Sequence, residues 1–263
     1  MRADKFFAEK FGSRTKSAEA IEKGLVLLNG KPIRPKDEIT GDEEFSFPIP
    51  EEQFVSNGGY KLSRAIKTFQ FSCKNKVFAD IGASTGGFSD CLLQNGAKKI
   101  YAVDVGESLL HESLADNPAI VKMENTNARY LTSDDFPETI DAVTIDVSFI
   151  SLKLILPAIK EILPENGEAL LLIKPQFECE KKNIGKSGIV HSSSHAKIVR
   201  GIVDFCLELG LEPVEIVNAP IRKGKNIEYI LHIKRSNENY ATALQIENSI
   251  KEFVKLNSLN ELK

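Results

Sequence analysis

The stretch KVFADIGASTGGFSD, residues 76–90, decides the fold. An apolar run of buried-strand type (76–83) passes through a glycine-rich turn into a helix expected from about Gly86 to Asn95. Outward from it, further apolar runs stand at 100–105, 119–126, 142–148 and 169–175, with helices expected over about 152–163 and 194–209. Continuous apolar strands alternating with helices imply an α/β fold with a mostly parallel sheet covered on both faces. The last two runs, VEIVNAP (214–220) and EYILHIKR (228–235), are joined by a short basic loop and are expected to form an antiparallel hairpin at one edge. The tail, 236–263, is polar with spaced apolar positions (Leu244, Ile246, Ile250, Phe253, Val254) and is expected to form one helix.

The 263 residues are 42% hydrophobic and 27% charged, which excludes a collagen-like, mucin-like or wholly disordered chain. The longest purely apolar stretch, Ala169 to Ile173, falls far short of the about 20 residues that cross a bilayer. The opening MRADKFFAEK mixes both charge signs and lacks the apolar core of a secretory signal. Cys73, Cys91, Cys179 and Cys206 form no C-x-x-C pair, so neither a disulfide framework nor a metal site is indicated and a reducing cytoplasm fits.

A net charge of −3 conceals an uneven distribution. Met1 to Lys36 carries nine basic residues against four acids, and Asp37 to Glu52 carries seven acids with no Lys or Arg. Charge alone leaves two readings, a small domain with a cationic face or a solvated helix surface beside a loop. Phe6, Phe7 and Phe11 are spaced for one face of a short helix ended by Gly12. Ser13 can cap a second helix that buries Ala18 and Ile21 and stops at Gly24. Asn29-Gly30 signals a tight hairpin because both residues tolerate positive φ, and Pro48 and Pro50 close the unit. The expected organisation is a small α+β domain over 1–50, a linker over 51–57, an α/β domain over 58–235 and the tail.

Residues 1–50 resemble the S4-like RNA-binding domain in Arg2-x-Asp4, Ser13-Arg14, Ala18, Ile21, Gly24 and the Val26 to Gly30 turn. That resemblance implies a hold on structured RNA through phosphates and shape, with Arg2, Lys5, Arg14, Lys16 and Lys23 as the contacting residues.

At the end of the first strand of a doubly wound sheet, backbone amides can approach a ligand closely. The alternatives are a dinucleotide, S-adenosylmethionine, or a purely structural turn. The dinucleotide fingerprint G-x-G-x-x-G has Ser84 where its second glycine belongs, so pyrophosphate would meet a side chain. Asp104, ending the second strand, suits ribose hydroxyls, which both cofactors carry. Asp80 suits the ammonium of a free amino acid end, and Asn127 suits an adenine edge or simply a turn. The set favours S-adenosylmethionine held by Asp80, Gly82, Ala83, Ser84, Thr85, Gly86, Gly87, Phe88, Asp104, Val105, Asn127 and Asp146.

Four polar residues lie near strand ends: Lys61, Asp146, Lys174 and Glu228. A lone Lys there is ordinarily a solvated terminus, so the case rests on the set. About Val55 to Arg235 resembles the FtsJ-type ribose 2′-O-methyltransferases, and the combined architecture resembles the TlyA (hemolysin A) family. The resemblance is carried by GGYKL (58–62), DIGASTGGF (80–88), AVDVG (102–106), DVSFISL (146–152), KPQFE (174–178), GKSGIV (185–190) and NIEY (226–229). It implies a Rossmann-like fold, S-adenosylmethionine-dependent methylation of a ribose 2′-hydroxyl in ribosomal RNA with cytidine as target, and a Lys-Asp-Lys-Glu tetrad at Lys61, Asp146, Lys174 and Glu228. Lys225 departs from the glycine common there in the family.

A hydroxyl is a weak nucleophile, so an adjacent base or cation must raise the anionic character of its oxygen. Lys174 is expected to do this, as a neutral base or as a charged donor. Two basic loops, Lys181, Lys182 and Lys186, then Arg222, Lys223 and Lys225, either hold phosphates or are ordinary solvated loops. A non-catalytic RNA-binding or ribosome-assembly factor is opposed by the complete set of cofactor and tetrad positions. A membrane-lytic toxin is opposed by the lack of a spanning or strongly amphipathic cationic segment. No membrane and no obligatory protein partner are expected.

Overall fold

The structure, a computed structural model, describes residues 1–22, 24–47, 54–222, 224–236, 245–246, 248–249 and 251–252. By internal contacts the chain divides into two units, Met1–Gln53 and Phe54–Lys263. In the first unit, α1 (Ala3–Phe6) and α2 (Arg14–Glu22) precede β1 (Leu27–Leu28), β2 (Lys31–Pro32) and β3 (Phe45–Ser46), which pair antiparallel in the order β2-β1-β3. The β1–β2 turn has φ of 49° at Asn29 and 75° at Gly30, the doubly left-handed geometry that suits a twisted hairpin. Ser13 Oγ accepts from Lys16 N–H at 3.2 Å, capping α2.

Two local expectations are corrected here. The first helix ends at Phe6 instead of running to Gly12. Phe6 and Phe7 are about 100° apart around a helix, and only Phe7 enters the small core with Ala3, Ile21, Val26, Ile33 and Ile39. On α2 the buried face is Ser17, Ala20 and Ile21, with Ala18 half-buried at its edge. Arg2 and Arg14 both pair with the buried Asp4 carboxylate, at 2.6 and 3.2 Å, whereas Lys5 and Lys16 are exposed and free to face an anion. Lys23, Lys223, Pro48, Pro50 and the linker positions 51–53 lie outside the described residues.

The second unit opens on α3 (Asn57–Phe69), then β4 (Val77–Ile81), α4 (Gly87–Gln94), β5 (Lys99–Val103), α5 (Glu112–Ala115), β6 (Ile120–Met123), β7 (Ala142–Ile145), α6 (Leu156–Ile162), β8 (Glu168–Ile173), α7 (Pro175–Glu178), α8 (His195–Glu208), β9 (Leu211–Asn218) and β10 (Tyr229–Arg235). The sheet order is β6-β5-β4-β7-β8-β10-β9. The first five strands are parallel, and β10 runs antiparallel between β8 and β9. The edge hairpin is thus inserted backwards: its second strand, not its first, joins the parallel sheet. That choice sets Tyr229 opposite Ile173 and so brings Glu228, one residue earlier, level with Lys174, one residue later.

Strand residues alternate between two cores. Phe78, Ile100, Leu170, Leu172 and Ile230 face α3 and α4. Ala79, Ile81, Val103, Val143, Leu171 and Leu231 face α6 and α8. Each fully buried aliphatic side chain contributes roughly 2 kcal/mol, and strands covered on both faces need such unbroken apolar runs. Helix α3 was not legible in the sequence because Gly58 and Gly59 lie in its first turn. Leu62, Ala65 and Ile66 supply its buried stripe, and Ser56 Oγ caps it by accepting from Gly58 N–H at 3.3 Å. The glycines are needed for packing: a Cβ at Gly59 would overlap the Phe54 side chain, and one at Gly58 would lie 3.3 Å from the Phe88 ring on α4. In the tail, positions 245–246, 248–249 and 251–252 are helical and Ile246 joins the larger core, while Leu244, Ile250, Phe253 and Val254 lie outside the described residues. No helix among the described residues is long and apolar enough to cross a membrane.

Candidate active site

The glycine-rich turn joins β4 to α4 and is tied to the neighbouring strands by its own amides. Gly82 and Ala83 N–H donate to Val103 O at 2.8 and 3.1 Å, and Ser84 N–H donates to Asp104 Oδ2 at 2.8 Å. Gly82 has φ of 80°, and a Cβ there would lie 2.6 Å from Asp146 O, so only glycine lets β4 and β7 release their chain ends side by side. Asp104 Oδ1 accepts from Gly106 N–H at 2.8 Å, which fixes the carboxylate at the carboxyl end of β5.

A cleft of about 400 Å³ runs from Gly82 and Ser84 past Asp104 and Val105 to Thr126, Asn127 and Ala128, with Ile81, Val103, Leu109 and Ile155 as apolar wall. A second cavity of about 140 Å³ is lined by Ser56, Gly58, Gly82 to Thr85, Gly87, Phe88, Asp146, Ser148 and Lys174. The two share Gly82, Ser84, Asp146 and Ser148, so they adjoin. This chemistry fits S-adenosylmethionine. The apolar wall suits adenine, the fixed Asp104 keeps lone pairs for ribose hydroxyls, and the first N–H groups of α4 suit a carboxylate. A dinucleotide fits less well, because its pyrophosphate would approach the turn at Ser84, whose N–H is already taken by Asp104.

One cofactor contact needs correction. Asp80 is fully buried and lines neither cavity. Its oxygens accept from Ser89 Oγ at 2.6 Å and Thr144 Oγ1 at 2.9 Å, so it braces β4, α4 and β7 from within and is sealed from a ligand's ammonium. Burial pushes its pKa up to about 6. Asn127 lines the larger cleft, yet its Oδ1 accepts from Arg129 N–H at 3.2 Å, so its carbonyl end serves the turn.

The four tetrad candidates form two ion pairs beyond the carboxyl ends of β7 and β8. Lys174, only 8% exposed, places Nζ 2.5 Å from Asp146 Oδ1, a close ionic contact, and donates to Ser148 Oγ at 2.8 Å. Lys61 on α3 reaches Glu228 Oε2 at 2.6 Å. The second pair lines a cavity of about 230 Å³ with Asn57, Tyr60, Gln176, Arg222, Lys225 and Asn226. Gln176 Oε1 there is buried and has no hydrogen-bond partner among the described residues, an acceptor costly to leave unmet.

Sequence reasoning gave no role to several residues within the quoted motifs. Phe149 is 91% exposed with φ of 64°, a strained conformation for a bulky residue, and its ring lies 5.0 Å from that of Phe177. Glu178 accepts from Ser151 Oγ at 2.6 Å and Leu152 N–H at 2.8 Å, tying KPQFE to DVSFISL, and its burial raises its carboxyl pKa. An exposed aromatic beside an Asp at a strand end is the signal that would have singled out Phe149. Lys181, Lys182, Lys186, Arg222 and Lys225 are all exposed, and Lys182 pairs with Glu180 at 2.8 Å.

Comparison with known proteins gives a consistent result. The family described as FtsJ-like methyltransferase matches residues 54–235, and the S4 domain matches residues 1–45. YqxC of Bacillus subtilis, which carries an rRNA methyltransferase designation, is 41% identical over 225 residues, 84% of this chain and 80% of its own. The 16S/23S rRNA (cytidine-2′-O)-methyltransferase TlyA of Mycobacterium tuberculosis is 34% identical over 242 residues, 90% of each chain. A solved structure from Streptococcus thermophilus with a hemolysin designation superposes with a TM-score of 0.77 at 35% identity, covering 100% of this chain and 98% of its own.

Proposed function

The chain belongs to the FtsJ-like methyltransferase family and carries an S4 domain, and from that membership we propose that it methylates the ribose 2′-hydroxyl of a cytidine in ribosomal RNA. The activities named for its relatives support the RNA substrate, and the tetrad supports the chemistry. Bound S-adenosylmethionine supplies a methyl carbon made electrophilic by its sulfonium. Lys174 acts on the attacking 2′-oxygen, either by taking its proton or by hydrogen-bonding to it as it gains negative character. Asp146 and Ser148 hold the Lys174 ammonium in place, so little reorganisation is needed in the transition state. Each Lys is matched by a carboxylate, which keeps the site from accumulating positive charge against a cationic cofactor.

The cavity at Lys61 and Glu228 suits the nucleotide. Gln176 offers an unmet acceptor to a base edge, and the exposed ring of Phe149, beside the half-buried Phe177, offers a stacking face. The exposed lysines of the 181–186 and 222–225 loops suit phosphates. Lys174, nearly buried at a strand end beside the cofactor cleft, is the observation that carries the reading. The test is to map 2′-O-methyl marks on ribosomal RNA incubated with the protein and with Lys174→Ala. The wild type is expected to add a mark at a cytidine, and the variant to add none while binding cofactor within a few fold of wild type. A variant that keeps most of its turnover would overturn the role of Lys174.

A further inference from the structure

Glu228 lies just outside β10, where the ladder does not fix it from both sides; its backbone is held in the sheet by Ala219 N–H, which donates to Glu228 O at 2.8 Å. Side chains on either side of it converge on one residue of a distant loop. Asn226 Oδ1 accepts from Val190 N–H at 2.8 Å, and Asn226 Nδ2 donates to Gly188 O at 3.0 Å. On the other flank, Tyr229 OH lies 2.8 Å from His195 Nδ1, and His195 Nε2 lies 3.4 Å from Val190 O. A carbonyl can only accept, so Nε2 carries the proton and Tyr229 OH donates to Nδ1. Burial lowers the His195 pKa, in keeping with a neutral ring. Val190 is itself buried and belongs to a small hairpin closed by its bridge to Ile184 and by Gly185 N–H on Ile189 O at 2.8 Å.

We infer that Val190 is the fixed point of a clamp, with Asn226, Tyr229 and His195 as positioning residues that set Glu228 against Lys61. The clamp explains why GKSGIV (185–190) and NIEY (226–229), of which Asn226 and Glu228 line the cavity that holds Lys61, are part of one working unit. The Val190 N–H is spent on the side chain two before the carboxylate, and its carbonyl on His195, which in turn takes the hydroxyl of Tyr229, one after the carboxylate. A shift of the hairpin therefore moves Glu228 and loosens its 2.6 Å contact with Lys61. The inference rests on the proposed ribose methylation only for its kinetic arm.

The test combines amide hydrogen exchange with a double-mutant cycle. In Asn226→Ala, exchange at Ala219, whose N–H reports the Glu228 backbone, is expected to rise at least tenfold, with global stability tracked by urea denaturation. Exchange at Ala219 that stays at the wild-type rate overturns the clamp, whatever the activity. In the kinetic arm, Asn226→Ala and Tyr229→Phe are expected to lower kcat by about 10- to 100-fold, with RNA and cofactor Kd within a few fold. In the Glu228→Gln background the same changes should cost almost nothing more. Fully additive losses would show that they act elsewhere and overturn the positioning role. If the wild type methylates no RNA, the functional reading fails while the exchange arm still decides the clamp.

Discussion

Replacing Asp80 with Asn removes a titrating group from the middle of the sheet, and its consequence follows from the burial of that carboxyl. The native pKa is about 6 against an ordinary 3.8, because loss of water outweighs the hydroxyls of Ser89 and Thr144. A gap of that size is worth roughly 3 kcal/mol. Between pH 4 and 6 the native state holds a proton that the unfolded chain has released. Stability from this group is therefore greatest at low pH, falls as pH rises through the window, and is fully lost above it. The D80N variant has no such group and carries only a pH-independent change in hydrogen bonding. Urea denaturation of both proteins from pH 4 to 8 should show the stability difference moving in favour of the variant by about 3 kcal/mol, nearly all of it below pH 7. Other groups titrate alike in both proteins and cancel. Calorimetric titration with S-adenosylmethionine at pH 7.5 should give Kd values within a few fold, since the carboxylate lines no cleft. A difference that is flat with pH would refute the buried titration. A loss of cofactor affinity beyond tenfold would refute the sealed position.

Two further outcomes are expected. Gly82→Ala places a Cβ 2.6 Å from a backbone oxygen at φ of 80°, so no rotamer relieves it. A loss of about 2–4 kcal/mol in urea denaturation and at least a tenfold loss of cofactor affinity follow, and a wild-type Kd would contradict the close approach. If Lys186 and Lys225 touch phosphates, changing both to Gln should lower the slope of log Kd against log salt by about 1.5–2, measured by filter binding between 50 and 300 mM salt; an unchanged slope would place RNA elsewhere.

Strand positions were readable because a strand buried on both faces must be almost wholly apolar, as Ala169 to Ile173 is and as Val77 to Ile81 is apart from Asp80. Helix α3 was hidden because glycine propensity argued against it at Gly58 and Gly59, and only tertiary packing, of α4 on Gly58 and of Phe54 on Gly59, explains their presence. Phe7, just past the end of α1, entered the core, while Phe6 stayed 38% exposed.

The α/β class and the glycine-rich turn at Gly82 to Gly87 were legible in the amino-acid sequence, because local patterns carry those signals over short spans, while the four candidate site residues were singled out by their places near strand ends and by family resemblance. Tertiary structure alone decided that β10 enters between β8 and β9, which aligns Glu228 with Lys174. It also decided that Asp80 is sealed by Ser89 and Thr144 and that Val190 meets Asn226 directly and Tyr229 through His195, on the two flanks of Glu228. These contacts join residues up to 64 positions apart in the chain, and nothing in local propensity records which distant partner a polar side chain will meet.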